Sequence, residues 1–344
     1  MKNKAISEVG EKKLIKILLD KRDKKLDITD KTIKHSYHDD AALINNTTKY
    51  TVISTDMLIQ HTHFPKQMSH YQMGKKVVTV NVSDILAMNA TPNSILISMG
   101  LPPTMKLNEY NELTDGIIDK CNELNITLIG GDINQNTEII LCGTSTGKID
   151  DKVKLQRNIE ENNLIGVTGE LGGPAAALDL LKENNNTNKH KNQKIIQTLL
   201  EPELPVTTSE ILRKYPEITT SITDITDGLA VELGHLQNKN PEIGFEIYYN
   251  KLPYNKNIEE IAEKNDKKLT DYLLHFGEEF ELLLTINKEE YEKHANELNI
   301  QIIGKTNNTK KITLIKDNKE KNIPIKGYEH LKDDTDETMH NMSK

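Results

Sequence analysis

Short apolar runs of two different periods alternate along this chain, and they repeatedly close on or carry an aspartate. Residues 50–55 (YTVIST) read as a buried strand running into Asp56, and VVTVNVSDILAM, on a helical repeat, carries Asp84. The strand-like TLI leads through Gly130-Gly131 to Asp132, and the run at 219–223 leads to Asp224 and Asp227. Asp39 and Asp40 stand just ahead of another apolar start. Ends of strands and helices are where side chains from distant parts of a chain converge. Carboxylates gathered there repel one another unless divalent cations lie between them. Hard cations such as Mg²⁺ take oxygen ligands and accompany substrate phosphates. The pattern points to phosphoryl transfer.

At 344 residues there is room for two domains with cores of their own. Aromatic residues make up only 4% and Trp is absent, so those cores must be built from Ile, Leu, Val and Met. Acidic residues outnumber basic ones by 52 to 44, a formal charge of −8, which argues against a nucleic-acid partner. No apolar run approaches membrane-spanning length, and the Lys-rich start lacks the continuous apolar stretch of a signal peptide. Cys121 and Cys142 have neither metal-type nor redox spacing, so a reducing, cytoplasmic setting is expected.

Ile6, Val9, Leu14, Ile17 and Leu18 fit one helix face. Helices are expected over 71–89 and 107–124, and strands at 94–100, in NITLIGGD and at 138–149. Asn81, Asp84 and Met88 share a face of the first helix. Beyond Arg157 the pattern restarts, with strands at 164–168, 219–223, 243–249, 280–286 and 301–303. Helices are expected from Pro174, over 227–237 and over 288–298; the polar stretch 183–194 reads as an exposed loop or helix end. This mixture predicts an α/β or α+β chain with a boundary near residue 150.

Each constellation also has a plain structural reading. Asp39-Asp40 fits a polar turn, and Ser54-Thr55-Asp56 fits a turn or helix cap. Asp84, on the face shared with Asn81 and Met88, is expected to be at least partly buried; it needs a cation or a salt bridge. Gly130-Gly131 lets backbone approach a ligand closely, although a bare Gly-Gly-Asp is a weak signal. Val167-Thr168-Gly169-Glu170-Leu171-Gly172-Gly173 offers amides at a helix start, either an anion cradle or a plain tight turn, and it is not a P-loop. Asp224-Ile225-Thr226-Asp227-Gly228 opens a helix, where a Thr or Asp cap explains one acid but not both. The charges of Phe276-Gly277-Glu278-Glu279-Phe280-Glu281 suit a solvated edge.

Taken in order, HDDAAL, STDMLIQHTHF, VNVSDILAMNA, LIGGD, Arg157, VTGELGGPAAAL, DITDGL, GEEFELL and Gly327-Tyr328 resemble the thiamine-monophosphate kinase family of the PurM-like (aminoimidazole ribonucleotide synthetase) superfamily. The resemblance spans nearly the whole chain. It implies an N-terminal mixed-sheet dimerisation domain (1–150), a C-terminal α/β domain (151–335) and a tail (336–344). It also implies a homodimer, with ATP in a cleft between the domains. The implied reaction moves the γ-phosphoryl group of ATP to thiamine monophosphate. By the same resemblance, Asp40, Ser54, Thr55, Asp56, Asp84, Asp132, Asp224 and Asp227 would bind several Mg²⁺ ions. Gly131, Asp132, Arg157 and Thr226 would contact ATP, while His63, Glu278 and Tyr328 would hold the thiamine substrate.

The chain departs from the family pattern at several places. His38 replaces a glycine, Thr226 a serine and Glu279 a shorter acid; Thr114-Asp115 stands where an aromatic residue is common, and Asn162-Asn163 where a Gly-Asp turn is usual. None of these removes a carboxylate from the expected metal set. Other superfamily enzymes fit less well, since a DGVGTK-like stretch and a reactive cysteine near either end are missing. A catalytically silent, nucleotide-binding scaffold is the alternative from another class.

Overall fold

The computed structural model describes residues 5–6, 9, 11–25, 33–35, 43–44, 48–150, 152–182 and 191–327. They form two compact units, the first comprising residues up to Ile85 and from Ala90 to 150, the second Leu86–Asn89 and the chain from Lys152.

In the first unit, helix α1 (Glu11–Lys25) is followed by the short antiparallel pair β1 (Ile33–His35) and β2 (Leu43–Ile44). Then come β3 (Tyr50–Ile59), the one-turn helix α2 (Gln60–His63), α3 (His70–Ala87) and β4 (Thr91–Leu101). Helix α4 (Leu107–Glu123), β5 (Thr127–Gln135) and β6 (Ile140–Ile149) complete the unit. Strands β3, β6, β4 and β5 lie side by side in that order; only β4 and β5 run parallel.

Helix α3 starts where Ser69 and Gln72 bond reciprocally, side chain to backbone amide, at 2.9 and 3.2 Å. It ends at Asn89, whose left-handed backbone (φ 59) lets Ala90 N–H return to Ile85 O at 3.1 Å. The helix lies against one face of the sheet. Asn81 meets Gly143 and Ile85 meets Gly147, so closely that a Cβ at either glycine would sit 2.3 Å from a side-chain atom. Helices α3 and α4 touch through glycine as well, a Cβ at Gly116 falling 2.0 Å from Tyr71 O.

The second unit begins with β7 (Leu164–Val167) and helices α5 (Gly173–Lys182), α6 (Gln193–Leu200) and α7 (Val206–Lys214). It continues through β8 (Thr219–Asp224), α8 (Leu229–Lys239), β9 (Gly244–Tyr248), α9 (Asn257–Lys264) and α10 (Leu269–His275). Strand β10 (Leu282–Ile286), α11 (Lys288–His294), β11 (Gln301–Asn307), β12 (Ile312–Lys316) and β13 (Lys319–Asn322) end it. The seven strands are ordered β13-β12-β9-β11-β7-β10-β8, antiparallel except for β12 and β9. Its apolar core joins Ile165 and Val167 of β7, Leu229 and Leu233 of α8, Phe245 of β9 and Leu283 of β10. The expected mixed α/β class holds, with the second sheet mostly antiparallel.

Candidate active site

Strand β3 does not stop at Asp56, as its composition suggests, but continues to Ile59. Asp56 is therefore a strand residue, and two-residue alternation fixes where its side chain goes. Ser54 and Asp56 turn toward α3, while Ile53 and Met57 turn away and are 65% and 54% exposed. From α3, Asn81 accepts the Asp56 N–H at 2.9 Å and anchors itself by donating to Val77 O at 2.8 Å. One turn further on, Asp84 takes a very short hydrogen bond from the Ser54 hydroxyl and shares another with the Asp56 carboxyl. Burial, the Asp84 charge and that shared bond push Asp56 up to about 7. Two carboxylates held together beside a hydroxyl form an all-oxygen donor set, the chemistry a hard divalent cation takes.

Thr55 does not join them. Its hydroxyl lies on the other face of β3, donating to Gly143 O at 2.7 Å beside Thr144 and Cys142. Strand alternation thus keeps the Thr55 side chain off the face that carries Ser54 and Asp56. Asp132 also stands apart. It lies inside β5, and the sheet register sets its neighbour Gly131 opposite Ile97, then Gly143, then Asp56. Three strand spacings separate Gly131 from Asp56, roughly 14 Å. Asp132 accepts from Asn134 Nδ2 at 2.6 Å. Gly131 is required sterically, because a Cβ there would lie 1.9 Å from Ile97 O. Among the described residues, no three His, Cys, Asp or Glu side chains group as a ready metal cluster.

His63, in α2, is half-buried; its Nδ1 accepts the Ile59 N–H at 3.0 Å, and its carbonyl receives the buried Lys76 Nζ at 2.9 Å. Thr114 is fully buried and faces α1, taking Lys21 Nζ at 2.9 Å, while Asp115 pairs with the same lysine at 3.2 Å. Asp39, Asp40 and Tyr328 lie outside the described residues.

In the second unit, Asp224 ends β8 and is buried. Neither Thr226 nor Asp227 caps α8; Gly228 does so, with φ 110 and no side-chain bond. The buried Glu232 on α8 instead reaches back to Thr226 Oγ1 at 3.5 Å and Asp227 N at 3.4 Å. Its other oxygen meets His235 Nδ1 at 3.2 Å, which raises the imidazole pKa. Arg157 is exposed. Glu278 has a left-handed backbone, φ 67, and donates its N–H to Thr226 O at 2.9 Å.

The expectation of a solvated edge at 276–281 fails at Glu279, which is buried. Its Oε1 accepts the Gly172 N–H at 2.8 Å. Glu281 takes the Thr168 hydroxyl at 2.5 Å and is pushed up to about 7, by burial against the opposing pull of that bond. The glycine-rich turn, which the sequence leaves open between an anion cradle and a plain tight turn, gives its Gly172 amide to the protein's own carboxyl. Composition hid this arrangement, since three nearby glutamates read as surface; the pairing becomes visible only when the turn and the acids are brought together by the β7–β10 register.

Residues 38–149 match the family described as AIR synthase related protein, N-terminal domain. Over 298 residues the chain is 32% identical to the thiamine-monophosphate kinase of Pyrococcus horikoshii, covering 87% of this chain and 92% of that relative. A crystal structure of thiamine-monophosphate kinase from Stenotrophomonas maltophilia K279a shares the fold, with a TM-score of 0.76 at 24% identity over 86% of this chain and 95% of that one. A structure described as AaThiL complexed with AMPPCP and TMP gives a TM-score of 0.74 at 25% identity, over 94% of this chain and 97% of that one. On sequence identity sustained over most of both chains, this protein belongs to the thiamine-monophosphate kinase family.

Proposed function

We propose that the protein is a thiamine-monophosphate kinase: a phosphate oxygen of thiamine monophosphate forms a bond to the γ-phosphorus of ATP, the bond to the β-phosphate oxygen breaks, and ADP and thiamine diphosphate leave. Family membership supports this reading, and the observation that carries it is the Asp56–Asp84–Ser54 donor set. An acceptor phosphate is ionised at neutral pH, so no side-chain base is needed. The work left to the protein is to hold two polyanions in line.

We assign Ser54, Asp56 and Asp84 to magnesium, together with Asp40, Thr55, Asp132, Asp224 and Asp227. The all-oxygen chemistry of these groups fits that ion. When bound, magnesium neutralises phosphate oxygens and stabilises charge on the transferring group. Gly131, Asp132, Arg157 and Thr226 are assigned to ATP, and His63, Glu278 and Tyr328 to thiamine monophosphate. The exposed Ile53 and Met57 on the outer sheet face support a homodimer formed through that face. Two unpaired cysteines support a reducing, cytoplasmic location, and no described helix is long and apolar enough to cross a membrane.

Mixing purified protein with ATP, Mg²⁺ and thiamine monophosphate tests the proposal. Equal yields of ADP and thiamine diphosphate are expected; bound but unconsumed ATP would instead identify a silent scaffold. His63→Ala is expected to raise the KM for thiamine monophosphate about tenfold or more while changing that for ATP less than about twofold. Equal rises in both constants would remove His63 from the thiamine side.

A further inference from the structure

Segment 276–281 follows a backbone path that ordinary residues avoid. Glu278 (φ 67) and Phe280 (φ 53) are both left-handed, and neither is glycine. Such conformations persist only where the surroundings over-determine them. Here the surroundings do so from two sides. On one side the segment is laced to the turn after β8: Glu278 N to Thr226 O at 2.9 Å, Phe280 N to Ile225 O at 3.1 Å, and Ile225 N to Glu281 O at 2.8 Å. Gly277 permits this approach, since a Cβ there would fall 1.8 Å from Thr226 O. On the other side, Glu279 and Glu281 reach into the glycine-rich turn, at Gly172 N and Thr168 Oγ1. That turn is shaped around them, as a Cβ at Gly169 would lie 2.0 Å from Glu281 Oε1.

Glu279 is the odd member. It is buried, and among the described residues its Oε2 meets no hydrogen-bond partner, an arrangement that costs stability. A buried, half-satisfied acid between two strained residues does not earn its place as a fold stabiliser. What it does is fix the peptide that follows Glu278. We propose that Glu279, docked on the Gly172 amide, is a positioning residue that sets the Glu278 side chain for the thiamine-bearing substrate. This rests on the assignment of Glu278 made above. The extra methylene of glutamate over aspartate lets the carboxyl span from the segment to the Gly172 amide. Burial holds this carboxyl well above the usual carboxylate range, so a neutral amide of the same shape reproduces it.

Steady-state kinetics of Glu279→Ala, Glu279→Gln and Glu278→Ala, with each substrate varied in turn, decide the matter. Glu279→Ala is expected to raise the KM for thiamine monophosphate about tenfold or more, with the KM for ATP within about twofold, because small misplacements of a binding group cost that much. Glu279→Gln keeps the acceptor for Gly172 N–H and is expected to restore wild-type constants. Should the alanine variant not fold, Glu279→Asp, one methylene short of the amide, is expected to show the same split. Parallel loss for both substrates, or glutamine behaving as alanine, would reduce Glu279 to a structural residue and overturn the proposal. A Glu278→Ala variant with an unchanged KM for thiamine monophosphate would overturn it too, by removing the Glu278 assignment. A raised KM in Glu278→Ala with none in the Glu279 variants would overturn the positioning role alone.

Discussion

Asp84→Asn is expected to lower kcat by about a thousandfold or more while leaving the metal-free protein at least as stable as wild type. The two effects have one cause. Asp84 and Asp56 share a bond at the α3–β3 contact, and burial, with the Asp84 charge and that bond added to it, lifts Asp56 to about 7 against a reference of 3.8. In the absence of a cation the native state thus holds a proton that the unfolded chain gives up near 3.8. The pair's contribution to stability is fully present below that pH and is lost as pH rises through 7. Asparagine at 84 removes the repelling charge, keeps an oxygen toward the Ser54 hydroxyl and reduces that pH dependence to the share that burial of Asp56 supplies. Asp56 is partly exposed, so after discounting solvent screening the gain at pH 8 is on the order of 1 kcal/mol, or about 2–4 °C in Tm. Thermal melts in chelator at pH 5 and pH 8, run beside a kinetic assay at saturating Mg²⁺, check both halves. A near-normal kcat would remove Asp84 from the mechanism, and a lower Tm at pH 8 would contradict the electrostatic account.

Gly131→Ala is expected to destabilise the first unit by about 3 kcal/mol and to raise the KM for ATP. Its Cβ would come within 1.9 Å of Ile97 O and 2.8 Å of Ile97 C, both backbone atoms of the paired strand β4. Backbone cannot rotate aside as a side chain can, so β4 and β5 must separate at Asp132. The neighbouring glycine is the control. At Gly130 the nearest atom to a new Cβ is Leu96 Cδ2 at 3.2 Å, the far end of a flexible side chain, and Gly130→Ala is expected to cost less than about 1 kcal/mol. Urea midpoints for the two variants separate these cases. Equal midpoints would show that β5 is looser at Gly131 than the close approach implies.

Periodicity carried much of this structure. The two-residue and 3.6-residue patterns located β3, α3, β4 and α4, because each buries one face and the apolar spacing records which. The ends of elements were less legible. Asp56 reads as a terminator, yet β3 runs on to Ile59, since alternation turns the acid's side chain toward α3 while the backbone of this edge strand keeps its pairing with β6. Alternation then takes the Thr55 side chain away from the site, a consequence that follows from strand geometry once the strand's true length is known. Helices α6, α7, α9 and α10 are short and went unassigned, their few turns offering too little repeat to distinguish them. Glu279 was least legible of all. Burial of a charged residue type runs against composition, and the Gly172 amide that receives it lies 107 positions away. Local sequence records faces and turns; it does not record which distant backbone amide an acid will find.

The rate of thiamine diphosphate formation, measured as free Mg²⁺ is raised from excess chelator to millimolar levels, tests the central claim most directly. On the proposal that these carboxylates act by holding divalent cations, turnover is expected to be absent in chelator and fully restored by added Mg²⁺. Wild-type rates in excess chelator would contradict it.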